Sequence, residues 1–261
     1  MDLARIFHLI HIELIKQRNM KNILITGGSG LVGKKITLQL ESEGLSVAWL
    51  SRDPKKYTQK SFAWDIDKNT IDKAAIEWAD GIIHLAGEGV AEKRWTEERK
   101  KAILESRTQS SAMLYEAIKN AKNKPEAFIS ASAVGYYGFD TGDKTVAENE
   151  KPGTDFLAQV VVAWENEVKK IADLGLRTVL LRIGIVLDKD GGALKEMMKP
   201  PIAAPLGSGK QWMSWIVIDD LARMFSFAVK NEKVSGTYNA VGPNPATNAE
   251  LTKAANECLR A

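Results

Sequence analysis

The chain has 261 residues, enough for one large α/β domain or for a domain with a small appendage. Hydrophobic residues make up 44% and charged residues 26% of the sequence, so a sizeable core can be buried. The net charge of +3, from 36 basic and 33 acidic residues, gives no support for a nucleic-acid-binding protein, which typically has a larger and clustered basic excess. No run approaches the roughly 20 apolar residues of a membrane-spanning helix, so neither nucleic acid nor membrane is expected as a partner. The one cysteine, Cys258, excludes an internal disulfide and predicts a reducing, cytoplasmic location.

The first 19 residues precede a natural starting point at Met20. Their apolar residues have the spacing of an amphipathic helix, but polar residues interrupt the run and no signal-peptide cleavage site follows. Met20 begins the segment MKNILITGGSG, in which a first strand opens the chain. We therefore predict that residues 1–19 are an extension with loose packing.

Six short apolar runs alternate with helical patterns along most of the chain. Alternating strands and helices are typical of βαβ units and a parallel sheet, and near-continuous apolar runs fit strands buried on both faces. The predicted strands are residues 22–26, 46–51, 81–85, 127–132, 177–182 and 237–241. This pattern predicts an α/β fold, a Rossmann-type doubly wound parallel sheet.

Helix ends can also be located in the sequence. One helix follows Gly30 and stops at Gly44, a residue suited to a left-handed helix terminus. A second begins at Thr96, a good N-cap residue, and a third begins at residues 154–155 and ends at Gly175. From residue 188 the pattern loosens into glycine- and proline-rich stretches. We predict a dinucleotide-binding domain over 20–187 and a small substrate-side lobe over 188–261, from which the strand near 237–241 returns to the sheet.

The first strand leads directly into a glycine-rich turn and then a helix. A pyrophosphate needs close backbone approach and free N–H groups at a helix N-terminus, and glycines at three-residue spacing provide both. A strand before the turn and a helix after it make this signal stronger than a glycine triplet alone. The predicted pyrophosphate-binding residues are Gly27, Gly28, Ser29, Gly30, Leu31, Val32 and Gly33.

The end of the second strand bears on the choice of cofactor. NADP needs positive charge for its 2′-phosphate, and Arg52, supported by Ser51 and Lys55, can provide it. Asp53 keeps NAD open as an alternative, because a carboxylate there can accept a hydrogen bond from the ribose 2′-hydroxyl. A third interpretation is a solvated charge run in a loop. The sequence favours NADP.

Several segments together resemble a known family. The chain is similar to the extended short-chain dehydrogenase/reductases, and more closely to their atypical epimerase-family branch, the sugar nucleotide epimerase-like proteins. The matching segments are residues 27–33, 84–88, 94–95, 106–107, 130–138, 164–165 and 207–216. The resemblance covers the chain from about Met20 to its end; family members usually continue a few dozen residues further, so we expect part of the substrate lobe to be missing.

The resemblance implies further cofactor contacts. It places Asp65 and Ile66 at the adenine and residues 85–87 (Leu85, Ala86, Gly87) at the adenine ribose. Residues 183–185 (Ile183, Gly184, Ile185) are expected to face the nicotinamide carboxamide. Arg107 falls on the buried face of its helix, where an unpaired arginine is costly, so either a contact with the cofactor or a substrate anion, or a structural ion pair, is expected.

The usual catalytic pair is absent. Active members of the superfamily place Tyr and Lys four residues apart on the helix at 154–174, where this chain has Leu157 and Val161, and the related branch lacks the pair as well. Ser132, at the end of the fourth long strand, approximately matches the superfamily's helper serine, although an ungapped count reaches Ala133. Tyr136 or Tyr137 could replace the missing phenol if a cation, with Arg107 as the candidate, lies beside it.

Two functions are compatible with these residues. One is NADP-dependent reduction or epimerisation of a small molecule such as a nucleotide sugar, with Ser132 and Tyr136 in the proton-transfer role. The other is a non-catalytic NADP-binding sensor, which Leu157 and Val161 favour. We expect His84 to be a packed, hydrogen-bonded residue. Trp95, Trp212 and Trp215 are expected either to pack the lobe or to form an aromatic wall. No metal site is expected, and the residues do not define the oligomeric state.

Overall fold

A computed structural model describes residues 20–90, 93–198 and 204–260. The predicted extension, residues 1–19, lies outside the described residues. The described strands are β1 (Asn22–Thr26), β2 (Ser46–Ser51), β3 (Ser61–Asp65), β4 (Thr70–Ile71), β5 (Gly81–His84), β6 (Ala127–Ala133), β7 (Arg177–Ile183), β8 (Ile185–Leu187), β9 (Trp212–Met213), β10 (Trp215–Val217), β11 (Gly236–Ala240) and β12 (Ala246–Thr247).

Eight of these strands form one sheet in the order β11-β7-β6-β5-β1-β2-β3-β4. All neighbours are parallel except β3 and β4, which are antiparallel. The strand order reverses at β1, which pairs with β2 on one side and β5 on the other. A ligand crevice is expected beyond the carboxyl ends of the strands at such a switch point. The predicted doubly wound α/β fold is confirmed.

Helices follow most of the strands. They are α1 (Leu31–Ser42), α2 (Lys73–Trp78), α3 (Glu97–Lys119), α4 (Phe156–Ala172), α5 (Gly192–Met198), α6 (Ile218–Lys230) and α7 (Asn248–Arg260). Thr96 caps α3 by accepting the Arg99 N–H, Asp155 caps α4 by accepting the Ala158 N–H, and Gly44 after α1 has φ +83°. These three of the predicted helix ends are therefore confirmed.

Helices cover both faces of the sheet. Ile23, Leu24 and Ile25 are consecutive residues of β1 that point to alternate faces, and all three are fully buried. Helix α1 packs against α6, with an ion pair between Lys35 and Asp219, and α3 packs against α4. Burial on both faces fixes the sheet as a rigid platform and leaves its strand ends for binding.

Two strands of the main sheet, β3 and β4, and the small sheets of the C-terminal part were not predicted from the sequence. In β3 only Trp64 is buried, so the strand lacks the continuous apolar run of a central strand. Strand β8 pairs with β10, and β9 pairs with β12, so each small sheet joins segments far apart in the chain. The expected returning strand is β11, which pairs with β7.

Candidate functional site

The turn between β1 and α1 is too tight for side chains at three of its glycines. Gly27 has φ +70°, and a Cβ on it would lie 3.1–3.2 Å from the backbone of Leu85 and Ala86. A Cβ on Gly28 would lie 2.3 Å from the Trp49 ring, and one on Gly33 would lie 2.4 Å from the Gly27 carbonyl oxygen. These glycines therefore bring the start of α1 close to β1 and to the end of β5.

Gly30 differs from the other glycines because it faces open space. A Cβ there would meet only the Gly27 carbonyl oxygen, at 3.3 Å, and Ser29, Gly30 and Leu31 are exposed. Gly30 is the N-cap residue of α1, and no side chain caps the helix. Free N–H groups and the positive end of the helix dipole attract an anion, so the turn fits a dinucleotide pyrophosphate.

A buried hydrogen-bond network joins the turn to β5. The Thr26 hydroxyl accepts hydrogen bonds from the N–H groups of Leu85 and Ala86, 3.0 and 3.1 Å away, and lies 2.7 Å from His84 Nδ1. The hydroxyl proton must therefore point at Nδ1, which places the imidazole proton on Nε2, towards the hydroxyls of Ser110 and Ser111. His84 is fully buried, and the expectation of a packed, hydrogen-bonded histidine is confirmed.

The end of β2 carries the residues expected at the 2′-phosphate. The Ser51 hydroxyl accepts the Asp53 N–H at 3.1 Å, which shapes the turn that follows β2. Arg52 and Lys55 are exposed, and neither forms an ion pair with a described residue. Because β2 pairs with β1, these side chains lie at the same sheet edge as the glycine turn.

The predicted adenine and ribose contacts extend along this edge. Asp65 ends β3, where it forms an ion pair with Lys68 that lowers the pKa of the Asp65 carboxyl. Ile66 is half-buried beside it, and Leu85, Ala86 and the exposed Gly87 follow β5. The structure thus aligns these predicted contacts with the glycine turn along the ends of β1, β2, β3 and β5.

The Arg107 side chain packs against the turn after β5. Its Nη1 donates hydrogen bonds to the carbonyl oxygens of Glu88 and Ile103, and its guanidinium lies 5.3 Å from the Trp164 ring centre. A Cβ on Gly87 would lie 3.1 Å from Arg107 Cζ. Burial lowers the pKa of Arg107, and the Glu88 charge opposes this. No carboxylate of the described chain pairs directly with Arg107, so the anticipated structural ion pair does not form there.

The end of β6 holds the two residues predicted to transfer protons. Tyr136 lies half-buried on a 3₁₀ turn, Val134–Tyr137. Ser132 is 3% exposed, and its hydroxyl donates to Glu165 Oε1 at 2.7 Å. The serine thus has an internal partner, and its part in proton transfer stays a prediction. A Cβ on Gly135 would lie within 3.8–4.0 Å of Leu157 and Val161, so these aliphatic residues pack against the 3₁₀ turn.

The cation in contact with Tyr136 is Arg182, and not Arg107 as the sequence analysis suggested. Arg182 Cζ lies 3.4 Å from the Tyr136 ring centre. Its Nε and Nη2 donate to the two carboxylate oxygens of Glu165, at 2.8 and 2.9 Å. Although burial opposes the protonated form, the hydrogen bonds to Glu165 and Tyr137 raise the pKa of Arg182 above its usual value.

Sequence reasoning missed the pair formed by Arg182 and Glu165, although each residue carried a signal. Arg182 ends an apolar strand buried on both faces, where a guanidinium needs a partner. Glu165 follows Trp164 within a largely apolar helix stripe. Their side chains are 3% and 1% exposed, and only the packing of α4 on the sheet brings them together.

The segment expected at the nicotinamide joins the main sheet to the C-terminal part. Gly184 lies between β7 and β8, and a Cβ on it would lie 2.5 Å from the Ser214 carbonyl oxygen. That oxygen accepts the Ile185 N–H at 2.7 Å. Trp95 and Trp212 remain 40% and 48% exposed, although Trp212 Nε1 donates to Asp143 Oδ1. These two indoles are therefore accessible at the surface rather than packed within a lobe.

A model of the NAD dependent epimerase/dehydratase family matches residues 23–241. The chain belongs to this family. The epimerase family protein Mb2239 of Mycobacterium bovis is 37% identical over 235 residues, which cover 89% of this chain and 77% of that protein. Most of the sheet and all the predicted site residues lie within the matched range.

Two solved structures of the family are also similar. The nucleoside-diphosphate sugar epimerase of Corynebacterium glutamicum is 36% identical with a TM-score of 0.80; the match covers 92% of this chain and 51% of that one, so the present chain spans about half of it. The human epimerase family protein SDR39U1, solved with NADPH, is 31% identical with a TM-score of 0.80, and the match covers 92% of this chain and 80% of that one. The fold is thus that of an NAD(P)-binding epimerase-family protein.

The described residues contain neither a cluster of metal ligands nor a membrane-spanning helix. Within residues 20–90, 93–198 and 204–260, no group of three or more His, Cys, Asp or Glu residues could hold a metal ion. In the same part of the chain, no helix is long and apolar enough to cross a membrane.

The buried His84 predicts a pH dependence of stability. Burial, aided by the charge of Arg107, lowers the pKa of His84 to about 3 in the folded state. As pH falls below about 6.5, the unfolded chain binds a proton that the folded chain excludes until about pH 3. Stability due to His84 is therefore complete above about pH 6.5 and decreases by about 1.4 kcal/mol per pH unit below it. Urea unfolding of the wild type and of His84→Gln at several pH values measures this difference in slope; equal slopes would contradict it.

Proposed function

We propose that this protein binds NADP(H) along the strand ends and uses it to reduce, oxidise or epimerise a small molecule. The observation that carries the proposal is the uncapped start of α1, where Gly30 leaves open space beside the switch point of the sheet. An anionic diphosphate fits this position because the helix dipole and free N–H groups meet it without an obstructing side chain. The single cysteine of the sequence supports a cytoplasmic location.

The charges at the end of β2 support NADP over NAD. Arg52 can donate two parallel hydrogen bonds to a phosphate, and Lys55 adds a second cation. Neither is neutralised by an ion pair with a described residue, whereas Asp53 is the one nearby carboxylate of this turn. The NADPH-bound human relative agrees with this choice.

The proposed chemistry requires a group that exchanges a proton with the substrate oxygen. A bound nicotinamide cofactor supplies or accepts the hydride. Tyr136 follows β6 at the same sheet edge, and its hydroxyl has no hydrogen-bond partner among the described residues. We assign the proton transfer to this phenol, which donates its proton to a carbonyl oxygen during reduction and accepts it during oxidation. Ser132 contributes through its hydrogen bond to Glu165.

The name of the Corynebacterium relative supports a nucleoside-diphosphate sugar as the substrate. Trp95 and Trp212 are partly exposed aromatic residues whose indole N–H groups are already bonded to Val90 and Asp143. Fixed, exposed rings of this kind can stack on a sugar or a base. We propose that they line the substrate side of the crevice, within the region 188–261 and the loops that face it.

A non-catalytic NADP-binding sensor is the second candidate function. It is favoured by Leu157 and Val161, which occupy the places of the superfamily's Tyr and Lys and pack against the 3₁₀ turn. Neither side chain can exchange a proton. In that case cofactor binding would control a protein partner instead of a reaction.

Replacing Arg52 tests the choice of cofactor. Arg52→Ala should weaken NADPH binding roughly 10- to 100-fold, the effect of losing hydrogen bonds to a charged group, and should leave NADH binding nearly unchanged. Titration calorimetry of both cofactors gives the two affinities. Arg223→Ala is the matched control, because Arg223 is an exposed arginine paired with Asp220 on α6. Equal losses for NADPH and NADH would show that Arg52 does not bind the 2′-phosphate.

Replacing Tyr136 tests the chemistry. Tyr136→Phe should lower turnover about 100- to 10,000-fold without lowering NADPH affinity, because it removes only the phenol proton. NADPH oxidation with simple dicarbonyls and 4-keto nucleoside-diphosphate sugars provides the assay. Tyr238→Phe is the control, because Tyr238 lies on β11 and its hydroxyl donates to the Ser235 carbonyl oxygen. Undiminished turnover would disprove the assignment, and NADPH binding without turnover of any substrate would favour the sensor.

A further inference from the structure

The guanidinium of Arg182 is bonded along its edge and covered on one face by an aromatic ring. Along the edge, Nε and Nη2 bind Glu165, and Nη1 donates to the Tyr137 hydroxyl and to the Glu148 carbonyl oxygen, both at 3.0 Å. The Tyr136 ring lies over the face, 3.4 Å from Arg182 Cζ to the ring centre. The edge contacts fix the plane of the guanidinium, so the position of the charge relative to the Tyr136 ring is fixed as well.

Stability alone is a weak reason for such an ion pair. Two charges that are 3% and 1% exposed have lost most of their hydration, and hydrophobic residues of similar volume often stabilise a fold as well or better. The location is informative: Arg182 lies opposite Ser132 in the pairing of β7 with β6, at the strand ends where ligands bind. The pair thus occupies the edge of the sheet that carries the candidate site.

Two cations lie near Glu165, and one of them, Arg182, contacts Tyr136. Glu165 is shared by two cations, because Lys169 Nζ also lies 3.8 Å from Glu165 Oε2. The Tyr137 ring stands edge-on, 5.3 Å from the Tyr136 ring, and the Gly153 N–H donates to the Tyr136 carbonyl oxygen. A second carboxylate lies near the cluster: Glu148 Oε1 accepts the Asn239 N–H, and Asn239 Oδ1 accepts the Tyr137 hydroxyl. The charged group in contact with the phenol ring is the Arg182 guanidinium.

We propose that Arg182 is a positioning residue for Tyr136, and that it stabilises the negative charge which the phenol acquires when it gives up its proton. The inference rests on the proposed function, in which the O–H bond breaks, the proton passes to the substrate oxygen and the electron pair stays on the phenol. That charge spreads into the ring, where a guanidinium on the ring face attracts it. Arg182 thereby takes the electrostatic part that Val161, at the place of the missing lysine, cannot take. Glu165, which also accepts the Ser132 hydroxyl, holds Arg182 in place.

The reactivity of the phenol tests this inference without a substrate. N-acetylimidazole acylates tyrosine through its ionised form, and peptide mass spectrometry gives the rate at each tyrosine. The comparison is between Glu165→Gln, which keeps the guanidinium, and the double variant Glu165→Gln with Arg182→Met, which replaces the ion pair by neutral groups of similar size. Acylation of Tyr136 should be about tenfold slower in the double variant, whereas Tyr238 should react equally in both.

Two further variants control for packing. Arg177→Met removes an arginine from the same strand, one whose donors bind carbonyl oxygens at Ala228, Val229 and Val234, and it should leave Tyr136 acylation unchanged. Arg182→Lys keeps a charge but not the flat guanidinium, and it should slow Tyr136 acylation about threefold. Circular dichroism confirms the fold of each variant, and Arg182→Lys decides the question should the double variant not fold.

Equal rates of Tyr136 acylation with and without Arg182 would overturn the inference and leave Arg182 a structural role only. The assay uses the cofactor-free protein, so its outcome is separate from that of the proposed function. A protein that binds NADPH but turns over no substrate would defeat the proposed reaction. In that case, slower Tyr136 acylation in the double variant than in Glu165→Gln would still show that Arg182 acts on the phenol.

Discussion

The close approach of the glycine turn to the end of β5 is the constraint on which the rest of the site depends. Gly27 lies against the backbone of Leu85 and Ala86, and the Thr26 hydroxyl binds both of their N–H groups. This contact leaves no room for a Cβ at Gly27 without displacement of the neighbouring backbone. It fixes the first turn of α1 at the point where the strand order reverses, and it leaves the helix dipole directed at open space. The proposed anion-binding position is therefore supported by backbone geometry, without a contribution from side chains.

The part of the crevice to which we assign the chemistry depends on charged side chains, whereas the glycine turn depends on backbone geometry. At the places of the superfamily's Tyr and Lys, α4 carries the aliphatic residues Leu157 and Val161, which pack against the 3₁₀ turn. The cation beside Tyr136 is instead Arg182, a residue of strand β7. A strand is a rigid support for a charged group, since backbone bonds on both sides hold it and α4 covers it. Glu165 of α4 provides the partner for the buried Arg182 charge. Tyr136 is positioned by the short 3₁₀ turn after β6. The three elements meet because β6 and β7 are neighbours in the sheet.

Much of the fold could be predicted from the sequence because its central strands are apolar on both faces and its helices have clear caps. Six strands of the main sheet, the cap residue Thr96 and the left-handed Gly44 needed only local information. Strand β3 could not be recognised, because its half-buried residues lack a pattern that distinguishes a strand from a loop.

The parts of the site that could be predicted are those formed by residues close together in the sequence. The glycine turn and Arg52 lie next to strands in sequence, so their placement follows from the strand prediction. The cation that contacts Tyr136 depends on how α4 packs on the sheet, which cannot be deduced from the positions of residues along the chain. For this reason Arg107 was expected beside Tyr136, whereas the structure has Arg182 there. Likewise, the bond from Ser132 to Glu165 joins residues 33 positions apart.

A crystal structure of the protein with bound NADPH tests the central claim most directly. The account predicts the pyrophosphate within about 3 Å of the N–H groups at the start of α1, where Gly30 leaves space. It also predicts the 2′-phosphate against Arg52, and the nicotinamide between Tyr136 and residues 183–185. A cofactor whose pyrophosphate lies away from the glycine turn, or whose 2′-phosphate lies out of reach of Arg52, would contradict the account.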